Sequence, residues 1–142
     1  MSGPVAACFC GAVRIPVAAA LSAPINCHCG QCRALSGAAF TTWVSLPRSQ
    51  CQLPDPGVVA GFKPTQNLTR WSCRRCASHV FTEDVRLADI VGIPAGAFPD
   101  AVVPPPKRDY FIHHKPGWHQ QHLASIPQFG GESGYEPVDG AR

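Results

Sequence analysis

A mainly β fold with little helix is what this 142-residue sequence predicts, and three observations predict it. Gly and Pro supply 28 residues, about a fifth of the chain against a usual ~12%. Each Pro in a helix interior costs about 3 kcal/mol, so long helices have little room. The stretches between these breakers are short and carry Val, Ile, Thr, Phe and Trp, which is strand composition. Finally, eight cysteines, at 8, 10, 27, 29, 32, 51, 73 and 76, crowd the first 76 residues and leave the last 66 bare. Short strands held by a few fixed points suit such a pattern better than packed helices. A chain of this length is one domain large enough for a core.

The elements follow in order. Residues 12–17 read as a strand, kept to an edge by Pro16. Residues 30–36 read as one or two helical turns ended by Gly37. The strongest strand pattern is 40–46, rich in Thr, Trp and Val. Residues 67–72 and 78–82 flank Cys73 and Cys76 like hairpin arms. Residues 85–93 and 109–113 are further strands. Pro54-Asp55-Pro56-Gly57, Pro94 to Gly96 and Pro104-Pro105-Pro106 break the chain between them. Residues 1–123 form the domain; 124–142 read as a C-terminal tail with partial disorder.

Several function classes lose support. No apolar run reaches 18 residues, so no transmembrane helix is expected. The first positive charge, Arg14, lies behind Cys8 and Cys10, so no secretory signal is read and a cytoplasmic location is expected. In a reducing compartment clustered cysteines are more often metal ligands than disulfides. The net charge of +3 is modest, with no Lys/Arg-dominated window, so nucleic acid and membrane surfaces are not expected partners. No oligomeric state is read from the sequence.

The cysteines form three clusters: Cys8-Phe9-Cys10-Gly11, Cys27-His28-Cys29-Gly30-Gln31-Cys32 and Cys73-Arg74-Arg75-Cys76. Residues two apart in an extended strand share a face, and residues three apart across a turn converge. Zinc takes about four ligands. The outer clusters give two thiolates each, enough for a closed four-thiolate site of structural type. The middle cluster gives three thiolates, which leaves a position for water or substrate, as in catalytic zinc. Three other chemistries use the same thiolates: disulfides, an iron–sulfur cluster, or a second structural zinc completed by His28, Cys51 or another histidine. Cys51 alone reads as a small buried hydrophobe. His28, between two ligands, faces away from their metal. His79 could line a site, though a core or surface histidine is the commoner case. His119 and His122 form a candidate metal pair whose simpler reading is surface. Trp43, Trp71 and Trp118 read as core or pocket wall.

These three clusters, with Cys8 running on through Ala12-Val13-Arg14 and Cys32 through Arg33 to Ser36-Gly37-Ala38-Ala39-Phe40, resemble the glutathione-dependent formaldehyde-activating enzyme family, which includes centromere protein V-like proteins. The resemblance spans about residues 4–118. It implies antiparallel sheets pinned by zinc, sometimes called a β-tent. It implies two zinc ions per chain: a structural one on Cys8, Cys10, Cys73 and Cys76, and a catalytic one on Cys27, Cys29 and Cys32. It implies a carbon–sulfur lyase joining formaldehyde to glutathione as S-hydroxymethylglutathione. The chain departs from the family at Ala77, where Gly is usual, at Pro116-Gly117-Trp118, which carries an extra Gly, and over 52–66, which matches no substrate-binding motif.

The leading expectation is therefore a zinc-dependent lyase that adds a thiol to a small carbonyl compound or reverses the addition. Arg33, Arg48 and Arg70 are candidates for glutathione's carboxylates, and His79 or a water for the base. One rival is a zinc enzyme of specialised metabolism acting on a larger, non-glutathione substrate. Another is a non-enzymatic zinc module for a protein partner, which a basic extension would mark; none is visible here. A four-thiolate zinc carries about −2 and a three-thiolate zinc about −1, which brings the formal +3 close to neutral.

Overall fold

The computed structural model of the protein describes residues 2–119 and 126–138. Its centre is a seven-stranded mixed sheet. The strands are β3 (Ile25–Cys27), β4 (Thr41–Pro47), β5 (Val59–Phe62), β6 (Leu68–Cys73), β7 (His79–Asp84), β8 (Ile90–Pro94) and β9 (Arg108–Tyr110). Their order is β5-β6-β7-β8-β4-β3-β9. A separate antiparallel pair, β1 (Val5–Ala7) with β2 (Arg14–Pro16), forms the N-terminal hairpin. The one α-helix among the described residues, α1 (Gly30–Ser36), links β3 to β4; further short turns are 3₁₀. Two-residue strands β10 (Phe129–Gly130) and β11 (Glu136–Pro137) pair within the segment read as a tail. The chain is thus mainly β, with little helix.

Period-two alternation divides the sheet into two faces. Val44 and Leu46 of β4, Val91 and Ile93 of β8, and Val80 of β7 are buried in the core with Ala6, Val13 and Ile15 from the hairpin. Burying such side chains is worth about 1.5–3 kcal/mol each, which is what seats the hairpin on the sheet. The alternate residues face the other way. Register aligns Arg70, Thr82, Gly92 and Ser45 in one row across β6, β7, β8 and β4. Ile25 pairs with Trp43 in the next row. This second face is the floor of the cavity described below.

The helix lies where the sequence predicts it. The Cys29 sulfur accepts the Cys32 amide as N-cap, and Gly37 closes the end at φ 72°. Three expected strands are shorter than read. Over 85–93, the Asp84 carboxylate captures the Arg86 amide and turns 85–87 into 3₁₀, so only Ile90–Pro94 extends. Over 109–113, Phe111 takes a left-handed φ of 57° and ends the strand at Tyr110. Over 12–17, the turn that places Cys8 and Cys10 occupies the first residues. One pairing departs from the antiparallel expectation: β9 runs parallel to β3. Asp109 supports that pairing, accepting hydrogen bonds from His28 Nε2 (2.8 Å) and Asn26 Nδ2 (3.1 Å), and these hold its carboxyl below the usual carboxylate value.

Candidate metal centres

Both outer cysteine pairs sit in hairpin loops. In the β1–β2 loop the Cys8 amide donates to the Val13 carbonyl, and the Gly11 amide to that of Cys8, with Gly11 at φ 78°. In the β6–β7 loop the Cys73 amide donates to the Ser78 carbonyl and the Ala77 amide to that of Cys73. Packing of the hairpin on the sheet brings the two loops together. Cys8, Cys10, Cys73 and Cys76 then hold their sulfurs within 4.8 Å of one another. Cys8 Sγ lies 3.6 Å from Cys10 Sγ, which lies 3.8 Å from Cys73 Sγ. A tetrahedron with Zn–S of 2.3 Å has edges of about 3.8 Å, whereas a disulfide needs about 2.05 Å. The group therefore fits a tetrahedral ion rather than a bridge. Backbone amides serve it: Val13 N–H donates to Cys8 Sγ (3.2 Å) and Arg75 N–H to Cys73 Sγ (3.4 Å). The Ser78 hydroxyl, 3.1 Å from Cys76 Sγ, is the first cause holding that thiol down to about 5.

The second centre is local. Cys27 ends β3, Cys29 caps α1 and Cys32 lies in its first turn, and their sulfurs also lie within 4.8 Å of one another. The Cys32 thiol is held down to about 5, first by its hydrogen bond with Cys27 and, against burial, by the Arg70 guanidinium. The Cys27 thiol is pushed up, first by its hydrogen bond with Cys32. Three sulfurs form an incomplete tetrahedron, and what faces them is a cavity of about 570 Å³. Trp43, Leu68, Tyr110 and Phe111 form its apolar walls; Gln31, Ser45 and Thr82 give it polar contacts. Arg70 is its one charged side chain among the described residues. A groove of about 620 Å³ elsewhere is lined mainly by Pro, Ala and Val, with Asp100 its one ionisable group. Among the described residues that groove holds no cluster of reactive side chains, whereas the smaller cavity has three cysteines in its wall.

The seven cysteines assigned from spacing thus gather into two groups of four and three that could hold metal ions. The remaining cysteine, Cys51, is buried in the core, its sulfur 3.5 Å from the Pro47 carbonyl oxygen. The His28 ring turns away toward Asp109 and Phe40. Burial, then the charge of Arg70, lowers His79 to about 4; its Nε2 donates to the Phe81 carbonyl, and its ring meets Trp43 edge-on at 5.2 Å. His79 is therefore neutral and outside the cavity lining. Arg48 is held by Glu83 and the Ala88 carbonyl. Trp71 stacks on Phe81 and donates to Glu83 Oε2 (2.8 Å), and Trp118 is exposed. His122 lies outside the described residues. Ala77, at the family's usual glycine position, takes φ 64°. The segment 52–66 forms a 3₁₀ turn and the edge strand β5. Gln31, Leu68, Tyr110 and Phe111 were not singled out as cavity residues. Gln31 lay in plain view inside the middle cluster; the other three carry no local signal.

A crystal structure of a Rhodobacter sphaeroides protein shares the fold at a TM-score of 0.56 and 19% identity, covering 70% of this chain and 91% of that one. No curated protein matches the chain. No helix among the described residues is long and apolar enough to cross a membrane. The profile of the glutathione-dependent formaldehyde-activating enzymes matches residues 4–114, a span that holds both cysteine groups and the walls of the cavity. The chain belongs to the glutathione-dependent formaldehyde-activating enzyme family.

Proposed function

We infer that this protein is a zinc-dependent carbon–sulfur lyase that joins a thiol to a small carbonyl compound or reverses the addition, with glutathione and formaldehyde as the pair its family name indicates. The observation that carries this reading is the position of the Cys27, Cys29 and Cys32 sulfurs in the wall of a cavity large enough for a small substrate. In this reading Cys8, Cys10, Cys73 and Cys76 hold a structural zinc that fastens two hairpins. Zinc held by Cys27, Cys29 and Cys32 would supply an open position that keeps a thiol as thiolate or polarises a carbonyl oxygen.

The chain's own residues do the rest. Trp43, Leu68, Tyr110 and Phe111 give the reacting carbon an apolar surround. Gln31, Ser45 and Thr82 can orient a carbonyl or hydroxymethyl oxygen. His79 is neutral and already bonded, so it braces the Trp43 wall instead of moving a proton. A second reading, a larger or less polar substrate in place of glutathione, is favoured by the lining. Among the described residues the cavity offers one cation and no carboxylate, whereas glutathione brings two carboxylates and an ammonium.

The test is elemental analysis with NMR of the hemithioacetal formed from formaldehyde and glutathione, beside an apolar thiol. Two zincs per chain, falling to one in Cys32→Ser together with loss of product above the spontaneous background, is the expected result. A Cys32→Ser protein with full activity, or iron in place of zinc, overturns the reading. Faster turnover of the apolar thiol selects the second substrate class.

A further inference from the structure

Arg70 is 7% exposed, and among the described residues no carboxylate pairs with it. Its Nη2 donates to Gln31 Oε1 at 2.9 Å and to Cys32 Sγ at 3.5 Å. Its Nε is buried without a partner. The guanidinium stands 5.3 Å from the centre of the Trp43 ring. A buried guanidinium is costly unless a counter-charge meets it. One amide oxygen and one ring face are weak compensation. The anions beside it are the cysteine sulfurs, and among the described residues it is the only cation in the cavity.

Charge arithmetic says what this does. Three thiolates around a divalent ion leave −1, and Arg70 brings the buried assembly to zero. An anionic fourth ligand then takes it to −1. Without Arg70 the same ligand would take it to −2, a charge that the four-cysteine group carries where Cys10 is exposed. We propose that Arg70 is the positioning residue that lets the three-cysteine centre accept one anionic fourth ligand, the thiolate or oxyanion of its substrate. The register row that sets Arg70 beside Thr82 and aims it over Cys32 is what builds this device. The proposal rests on the reading of that centre as open.

The experiment uses the full chain loaded with cobalt(II), its visible absorption followed while thiocyanate or neutral imidazole is added. The four-cysteine centre, already closed, is the internal reference for folding. Wild type is expected to bind thiocyanate saturably. Arg70→Gln should weaken thiocyanate by about 10–100-fold, as for other partners of metal ligands, and imidazole far less. Arg70→Lys keeps the charge and should keep the wild-type preference for thiocyanate over imidazole. An Arg70→Gln protein that binds thiocyanate like wild type overturns the proposal. So does an Arg70→Lys protein that loses the preference, and this arm still decides the matter if the Gln variant loses the four-sulfur spectrum. A wild-type protein that responds to neither ligand overturns the open centre itself, a different failure from that of Arg70 alone.

Discussion

The group at Cys8, Cys10, Cys73 and Cys76 joins two hairpin loops, with Cys10 and Cys73 63 positions apart; the group at Cys27, Cys29 and Cys32 is complete within six residues. The first receives amide hydrogen bonds from Val13 and Arg75, has Cys10 exposed, and already offers four sulfurs. The second is one sulfur short, faces a cavity and meets a buried guanidinium. Similar sulfur chemistry therefore has different consequences. Closing a long loop removes entropy from the unfolded chain, so the first group acts on stability. The second closes almost no loop, so an ion held there would add little to the fold and could be left free for ligands.

The largest expected effect breaks the first group. Structural zinc contributes roughly 10–16 kcal/mol of apparent binding energy, against about 5–15 kcal/mol for the net stability of a domain. Cys73→Ala should therefore lose its cooperative thermal melt by circular dichroism, while Cys32→Ala keeps one. If both variants melt alike, the division of labour between the centres is wrong. Graded chelation sharpens the same contrast. The three-sulfur centre should release its ion first, so activity falls while the near-ultraviolet spectrum holds; simultaneous loss of both would break the comparison.

His79 begins β7 just after the loop of Cys73 and Cys76 and braces Trp43, so it touches both regions. Burial lowers its pKa from 6.5 to about 4, so as pH falls the unfolded chain takes up the proton first. Its contribution is intact above pH 6.5, declines between 6.5 and about 4, and is gone below, for a total of up to about 3 kcal/mol. His79→Gln should flatten that part of the stability profile in denaturant titrations at stepped pH. An unchanged slope would mean that His79 is not buried as a neutral ring. The smallest effect concerns Ala77 at φ 64°. Gly tolerates that conformation, and after its greater unfolded-state entropy is subtracted, Ala77→Gly should stabilise by about 0.5–1 kcal/mol. Activity should not change; a destabilised variant would show that the turn stores no such strain.

Much of the site was legible because its signals are local. Cysteines two or three residues apart must converge in a strand or a turn, whatever surrounds them, so the two pairs and the triplet could be read from spacing. Gly37 ends α1 for an equally local reason: no side chain opposes its left-handed backbone. The strands β1, β3 and β5 escaped notice, since three or four residues are too few to display a period. Arg70 stood among three candidate arginines that composition could not rank. Only the sheet register separates it from Arg48, which β8 and β7 bring to Ala88 and Glu83 instead.

By itself the sequence determined a mainly β chain and three local cysteine clusters, because breaker density and ligand spacing act within a few residues. Tertiary structure alone decided which hairpin loops meet, that β9 runs parallel to β3 and carries Tyr110 and Phe111 to the cavity wall, and that one guanidinium lies against Cys32. The physical reason is that these depend on strand register and on which sheet face is buried. Both are set by burial summed over the whole sheet, where a one-residue slip would turn Arg70 to the opposite face.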